Sequence, residues 1–213
     1  MLKIKQFVFN MFGVNTYLIT DKDTGDTAVI DPGMIDAAEK REFDDYVSAN
    51  NLKITQIINT HLHLDHCFGD NYVRDKYGVK VAANINDQPL GDDIPAQMAR
   101  FGGRIKADPV KIDVALKDGD IIKIGSSELR VITTPGHSPG GISLYSAEGS
   151  FLISGDTLFR FGVGRTDLPG GDHNTLIKSI REKLMTLPDD TKVLPGHDRF
   201  STIADERRHN PYI

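Results

Sequence analysis

The sequence predicts an α/β domain with more than one sheet, and three patterns along the chain carry that expectation. Strand-like and helix-like segments alternate through the first half. From 110 to 155 the pattern runs only to strands and turns, and beyond it helix and strand alternate again. Alternating periodicities point to sheets covered by helices, and the uninterrupted run of strands calls for a second sheet.

Taken in order, strands are expected at 3–9, 16–20 and 27–31, where β-branched and aromatic residues lead into the turn Asp31-Pro32-Gly33. Residues 36–50 read as a helix, with Phe43, Tyr46 and Val47 at helical spacing. ITQIIN, 54–59, is a strand, and a helix over 66–77 follows with Asp65 as its N-cap. VKVAANI reads as another strand and 86–101 as a helix. The clearest helix spans 174–187: Leu176, Ile177, Ile180, Leu184 and Leu187 form one apolar stripe, and Pro188 ends it. A strand at 191–194 and a short helix near 202–209 complete the pattern.

A length of 213 residues allows a substantial core, and one domain over 1–213 is expected. Twenty-five basic against thirty acidic residues leave a net charge of −5, which argues against nucleic acid as a partner. The single cysteine, Cys67, rules out an intrachain disulfide and reads as a packing residue. The opening MLKIKQFVFN alternates apolar and polar residues like a first strand, not a signal peptide. No apolar run approaches the ~18 residues of a membrane span, so a cytoplasmic protein without membrane contact is expected.

Chemistry gathers at the strand ends. Three of the seven histidines fall within THLHLDH, residues 60–66. LRVITTPG runs into His137, FLISG into Asp156, KVLPG into His197, and AVI into Asp31. Each apolar run delivers a metal-capable side chain just past a strand, where α/β proteins place their ligands. In an extended segment residues two apart project to one side, so His61 and His63 can grip one ion together. Asp65 and His66 lie where the chain turns into a helix and can face a second. Imidazoles with a few carboxylates suit zinc, and also iron or manganese. His61, His63, His137, Asp65, His66, His197 and Asp156 give seven donors, enough for two ions with one carboxylate shared. His173 and His209, isolated in sequence, are expected to take no part.

These motifs, THLHLDH with PGH at 135–137, SGD at 154–156, PGH at 195–197 and IDPG at 30–33, resemble the metallo-β-lactamase superfamily in order and spacing. The resemblance spans nearly the whole chain and implies a four-layer αββα sandwich. TPGHSPGG, SGDTLFRFGVGRTDLPGGD and ERRHNPY look like the short glyoxalase II-like hydrolases. By that resemblance His61, His63 and His137 would bind a first metal and Asp65, His66 and His197 a second, with Asp156 bridging. Asp31 would orient ligands from behind, and Arg165 would meet the substrate. The implied cofactors are two divalent ions, zinc first, with iron or manganese as alternatives. The implied reaction is cleavage of an anionic thioester such as a hydroxyacyl-glutathione by a metal-bridging hydroxide that Asp65 hydrogen-bonds. Full-length glyoxalase II continues past the position of His197 into a helical domain that helps bind glutathione, and here sixteen residues follow. GVGRTD also resembles persulfide dioxygenases, which use one iron, and this is the competing expectation. β-Lactam hydrolysis, nuclease and flavodiiron readings rank lower.

Overall fold

The computed structural model describes residues 1–100, 102 and 107–213. Two six-stranded sheets face each other. The first runs in sequence order: β1 (Leu2–Phe9), β2 (Val14–Asp21), β3 (Asp26–Ile30), β4 (Lys53–Ile58), β5 (Val81–Ala83) and β6 (Val114–Ala115). The second is ordered β14-β13-β10-β9-β8-β7. Its members are β7 (Ile121–Ile124), β8 (Ser127–Thr133), β9 (Ile142–Ser146), β10 (Phe151–Gly155), β13 (Lys192–Pro195) and β14 (Ser201–Thr202). A separate hairpin joins β11 (Leu158–Phe159) to β12 (Gly162–Val163).

Side chains alternate across each strand, and that alternation builds three cores. Tyr17, Ile19, Ile30 and Ile58 point between the sheets, where they meet Val131, Leu144, Phe151 and Ile153. Their neighbours Leu18, Val29 and Ile57 turn outward to Phe43, Val47, Val73, Ile94 and Met98 of the first helical layer. Ile132, Leu152 and Val193 face the opposite way, onto Leu176, Ile180, Leu184 and Ile203. The layers are helix, sheet, sheet, helix, as the resemblance implied. Each fully buried aliphatic side chain contributes about 1.5–3 kcal/mol through apolar burial.

Helix α1 (Ala37–Ala49) starts where Asp36 caps the N–H groups of Ala38 and Glu39, while Glu39 reaches back to the N–H of Ile35. The helix expected over 66–77 is two: α2 (Leu64–Cys67) and α3 (Asp70–Tyr77). They part at Gly69, whose N–H reaches Pro32 O at 2.7 Å and where a side chain would collide with Met34. Asp65 is not the N-cap. His63 holds that position, and Asp65 sits in the first turn, free to face the site. The strand expected from VKVAANI is only the three residues of β5. The helix expected over 86–101 divides into a 3₁₀ turn at Ile85–Asp87, α4 (Gln88–Asp92) and α5 (Ile94–Arg100); residue 101 lies outside the described residues. Pro89 and Pro95 sit in first turns, where a missing N–H costs nothing. The stripe over 174–187 is carried by α6 (His173–Ser179) and a π-helical turn, Ile180–Leu184. This places Leu176, Ile180 and Leu184 in the core and leaves Ile177 half-buried. Helix α7 (Ile203–His209) follows the N-cap Thr202. Among the described residues no helix is long and apolar enough to cross a membrane.

The register explains the site. β3 and β4 are parallel and pair Ile30 with Ile58, so Asp31 emerges beside Thr60 and His61. β10 and β13 are parallel and pair Gly155 with Pro195, so Asp156 and His197 emerge side by side. The sheets are joined at this end: Ile142 N–H donates to Thr60 O at 2.8 Å, and Tyr17 OH to Pro195 O at 2.7 Å.

Candidate metal centre

All seven expected donors converge. His61, His63 and His137 form one group, and Asp65, His66 and His197 another; His61 and His66 also group with Asp156. In the first, His63 Nδ1 lies 2.8 Å from His137 Nε2, which is 3.3 Å from His61 Nε2. In the second, His197 Nε2 lies 3.3 Å from His66 Nε2 and 3.2 Å from Asp65 Oδ2. Asp156 sits between them, its Oδ2 3.6 Å from His137 Nε2 and 3.6 Å from His197 Nε2, its Oδ1 3.4 Å from His66 Nε2. Asp156 is therefore placed where one carboxylate could serve both groups.

Hydrogen bonds behind the rings fix which nitrogen faces inward. His66 Nδ1 donates to Asp31 Oδ2 (3.0 Å), His137 Nδ1 to Arg165 O (2.7 Å) and His197 Nδ1 to Phe12 O (3.1 Å). Thr60 Oγ1 donates to Asp31 Oδ2, which leaves its lone pair for His61 Nδ1 at 3.1 Å. The Nε2 atoms of these four rings thus point to the centre, the orientation metal-ligating histidines require. Asp31 accepts a third bond from Thr60 N–H at 2.7 Å. It does so from left-handed backbone, φ 50°, which carries it past the strand end.

The electrostatics separate the two groups. Burial, then the neighbouring histidines, holds His61 well below the usual imidazole value, and the same causes take His63 down to about 3. Burial also opposes charge on His66, yet the carboxylates of Asp156, Asp65 and Asp31 outweigh it and raise the imidazole well above its ordinary value. His197 is raised against burial by Asp65 and Asp156. Asp65 and Asp156 are correspondingly held below the usual carboxylate range despite burial, chiefly by His66. Asp156 Oδ1 and His63 Nε2 are buried without a hydrogen-bond partner, a costly state that a bound cation would relieve at the carboxylate. The chemistry of the donor set, the inward-facing ring nitrogens and that orphaned oxygen all fit two divalent ions.

Backbone supports the sequence did not reveal hold this floor. Asp87, fully buried, accepts from Leu62 N–H (3.2 Å), between His61 and His63, and from Ser138 Oγ (2.8 Å) and Gly140 N–H (2.5 Å), just after His137. Gln97 accepts from Leu64 N–H at 3.1 Å and donates to Leu90 O at 2.8 Å. Its signal was a polar residue on the apolar stripe of Ile94 and Met98. Asp87 carries no such mark. Cys67 is buried as packing, and His173 stands apart from the centre.

A cavity of about 570 Å³ opens above the donors. Phe12, Leu64, Leu90, Phe159, Leu168 and Pro169 give it apolar walls, and Arg100, Arg160 and Arg165 stand among them. Arg165 is thus at the cavity, as expected, but its guanidinium makes two 2.7 Å bonds to Asp167.

Residues 10–197 match the family model described as the metallo-beta-lactamase superfamily. The chain belongs to the metallo-β-lactamase superfamily. Within that superfamily it is 35% identical over 209 residues to the hydroxyacylglutathione hydrolase GloC of Haemophilus influenzae, covering 95% of this chain and 93% of that protein. Three solved structures are close in shape. The BLEG-1 B3 metallo-beta-lactamase superposes with a TM-score of 0.90 at 33% identity, covering 99% of both chains. TTHA1623 in a di-iron-bound form gives 0.87 at 32%, covering 98% of this chain and 100% of that one. ETHE1 from Myxococcus xanthus gives 0.81 at 30%, covering 98% and 83%.

Proposed function

We propose that the protein is a binuclear metal-dependent hydrolase that cleaves a thioester, such as a hydroxyacyl-glutathione. The observation that carries this reading is the pairing of two donor groups around Asp156 on the floor of an apolar, arginine-bearing cavity. The likeness to GloC, a hydroxyacylglutathione hydrolase by name, supports the substrate class. His61, His63 and His137 would hold one ion and Asp65, His66 and His197 the other, with Asp156 shared. Two bound divalent ions lower the pKa of water from 15.7 to about 7 and polarise a carbonyl oxygen. Asp65, kept ionised and facing the cavity, accepts a hydrogen bond or proton at its carboxylate. The backbone carbonyls of Arg165 and Phe12 keep His137 and His197 from rotating.

Protein reconstituted separately with zinc, iron and manganese should be assayed on a hydroxyacyl-glutathione beside glutathione persulfide, with oxygen uptake recorded. Two bound ions with thioester cleavage are expected. One bound iron with oxygen consumption on the persulfide would overturn the reading in favour of a dioxygenase.

A further inference from the structure

The β11–β12 hairpin borders the cavity, and its tip is gripped from outside by the carboxyl-terminal helix. Phe161, at the tip, lies in left-handed backbone with φ 60°. Its N–H donates to both carboxylate oxygens of Glu206, at 3.2 and 3.0 Å. Asn210 Nδ2 donates to Gly162 O at 3.0 Å and to Glu206 Oε2 at 2.8 Å. Glu206 is fully buried and Asn210 nearly so. A carboxylate taken out of water to hold one turn costs desolvation, and a strained turn persists only when its surroundings fix it. What the grip fixes is the place of Arg160, which precedes Phe161 and lines the cavity.

The three cavity arginines are not equivalent. Arg100 pairs with Asp93 at 3.0 Å, and Arg165 is chelated by Asp167. Arg160 has no carboxylate partner among the described residues; its guanidinium rests 4.9 Å above the centre of the Phe161 ring. At Arg165 two of the guanidinium's N–H groups are already committed to Asp167, whose negative charge opposes a second anion there. At Arg160, among the described residues, no carboxylate competes with a substrate anion.

We infer that Arg160 is the cation that receives an anionic group of the substrate's thiol carrier, and that Glu206 and Asn210 are positioning residues that hold it at the cavity mouth. This rests on the thioester reading and narrows it: the carrier bears an anionic group, as glutathione does in its carboxylates, and the apolar portion lies along Leu64, Leu90, Phe159 and Leu168.

Binding tests this without turnover. An S-alkyl glutathione thioether, which cannot be hydrolysed, and its dimethyl ester should be titrated calorimetrically into metal-reconstituted protein. Wild type is expected to prefer the free acid by about tenfold, the scale of one charge-assisted hydrogen bond. Arg160→Gln should bring the ratio close to one, and the remote Arg181→Gln should leave it intact. Asn210→Ala should reduce it several-fold, as should Glu206→Gln if it folds, with metal content unchanged. An equal affinity of wild type for both probes, a wild-type ratio in Arg160→Gln, or an equal collapse in Arg181→Gln would overturn the inference. Lack of thioester turnover alongside a retained Arg160-dependent ratio would overturn only the proposed reaction.

Discussion

Asp31 Oδ2 lies 3.0 Å from Nδ1 of His66, and this bond ties the end of one strand to a metal-facing imidazole more than thirty residues later in the chain. The same carboxylate accepts both donors of Thr60, so it sets the orientation of His61 as well. Asp31→Asn keeps the shape and tolerates the left-handed backbone. Only the charge and one acceptor are lost. Removing such a partner commonly weakens metal binding about 10–100-fold. Competition with a chromophoric chelator should show that loss, with secondary structure unchanged.

The opposed shifts of the histidines predict a stability optimum in metal-free protein. His61 and His63 fold with depressed values, so the unfolded chain binds more protons below pH 6.5. Their contribution rises as pH climbs from about 3 to 6.5. His66 and His197 fold with raised values, so their contribution is complete below 6.5 and is lost as pH rises through the folded values. Thermal melts of chelated protein should therefore peak near pH 6.5 and fall on both sides. A curve rising steadily to pH 9 would contradict the assignment.

Metal uptake should release protons unevenly. His61 and His63 are already neutral at pH 7, whereas His66 carries a proton that an incoming cation must expel. Titrations in buffers of different ionisation enthalpy should give a small proton release for the ion held by His61 and His63. The ion held by His66 should release close to one proton or more.

Asp87→Ala is expected to damage the His61, His63, His137 group selectively. It removes three bonds that hold the backbone on both sides of that group. Buried donors left unpaired cost about 1–3 kcal/mol each. The expected readouts are a lower melting temperature and loss of one of two bound ions, with the other retained at wild-type affinity.

Gly196→Ala should abolish binding of both ions while the chain still folds. Gly196 is not in left-handed backbone, so alanine is conformationally allowed. Its Cβ, however, would overlap Asp156 Oδ1 and sit 2.7 Å from His66 Cε1. Circular dichroism together with metal analysis checks this.

What the sequence disclosed was what strand ends and apolar runs disclose. All seven donors and Asp31 were legible because each follows an apolar run at a turn, and the geometry brings them together. Helix interruptions were not. Gly69 breaks a helix because Pro32 and Met34 press on it, a contact between segments that are separate in sequence. Asp65 has the composition of an N-cap, but His63 in extended backbone caps the helix two residues earlier. Asp87 is one of several aspartates ahead of or within short helices, and only the fold shows which one meets two strand-end loops. The pairing of Arg165 with Asp167, two residues along, was open to sequence reading; that no carboxylate among the described residues pairs with Arg160 was not.

The donors are divided between the two sheets: His61, His63, Asp65 and His66 follow β4, and His137, Asp156 and His197 follow β8, β10 and β13. Neither half offers a complete set. During synthesis the last donor to emerge is His197, after every sheet strand but β14. Metal capture by this donor set would therefore be a property of the finished fold, and bound metal would report on its assembly. A chain whose sheets have not docked would present only fragments of the donor set, four donors after β4 and three after β8, β10 and β13.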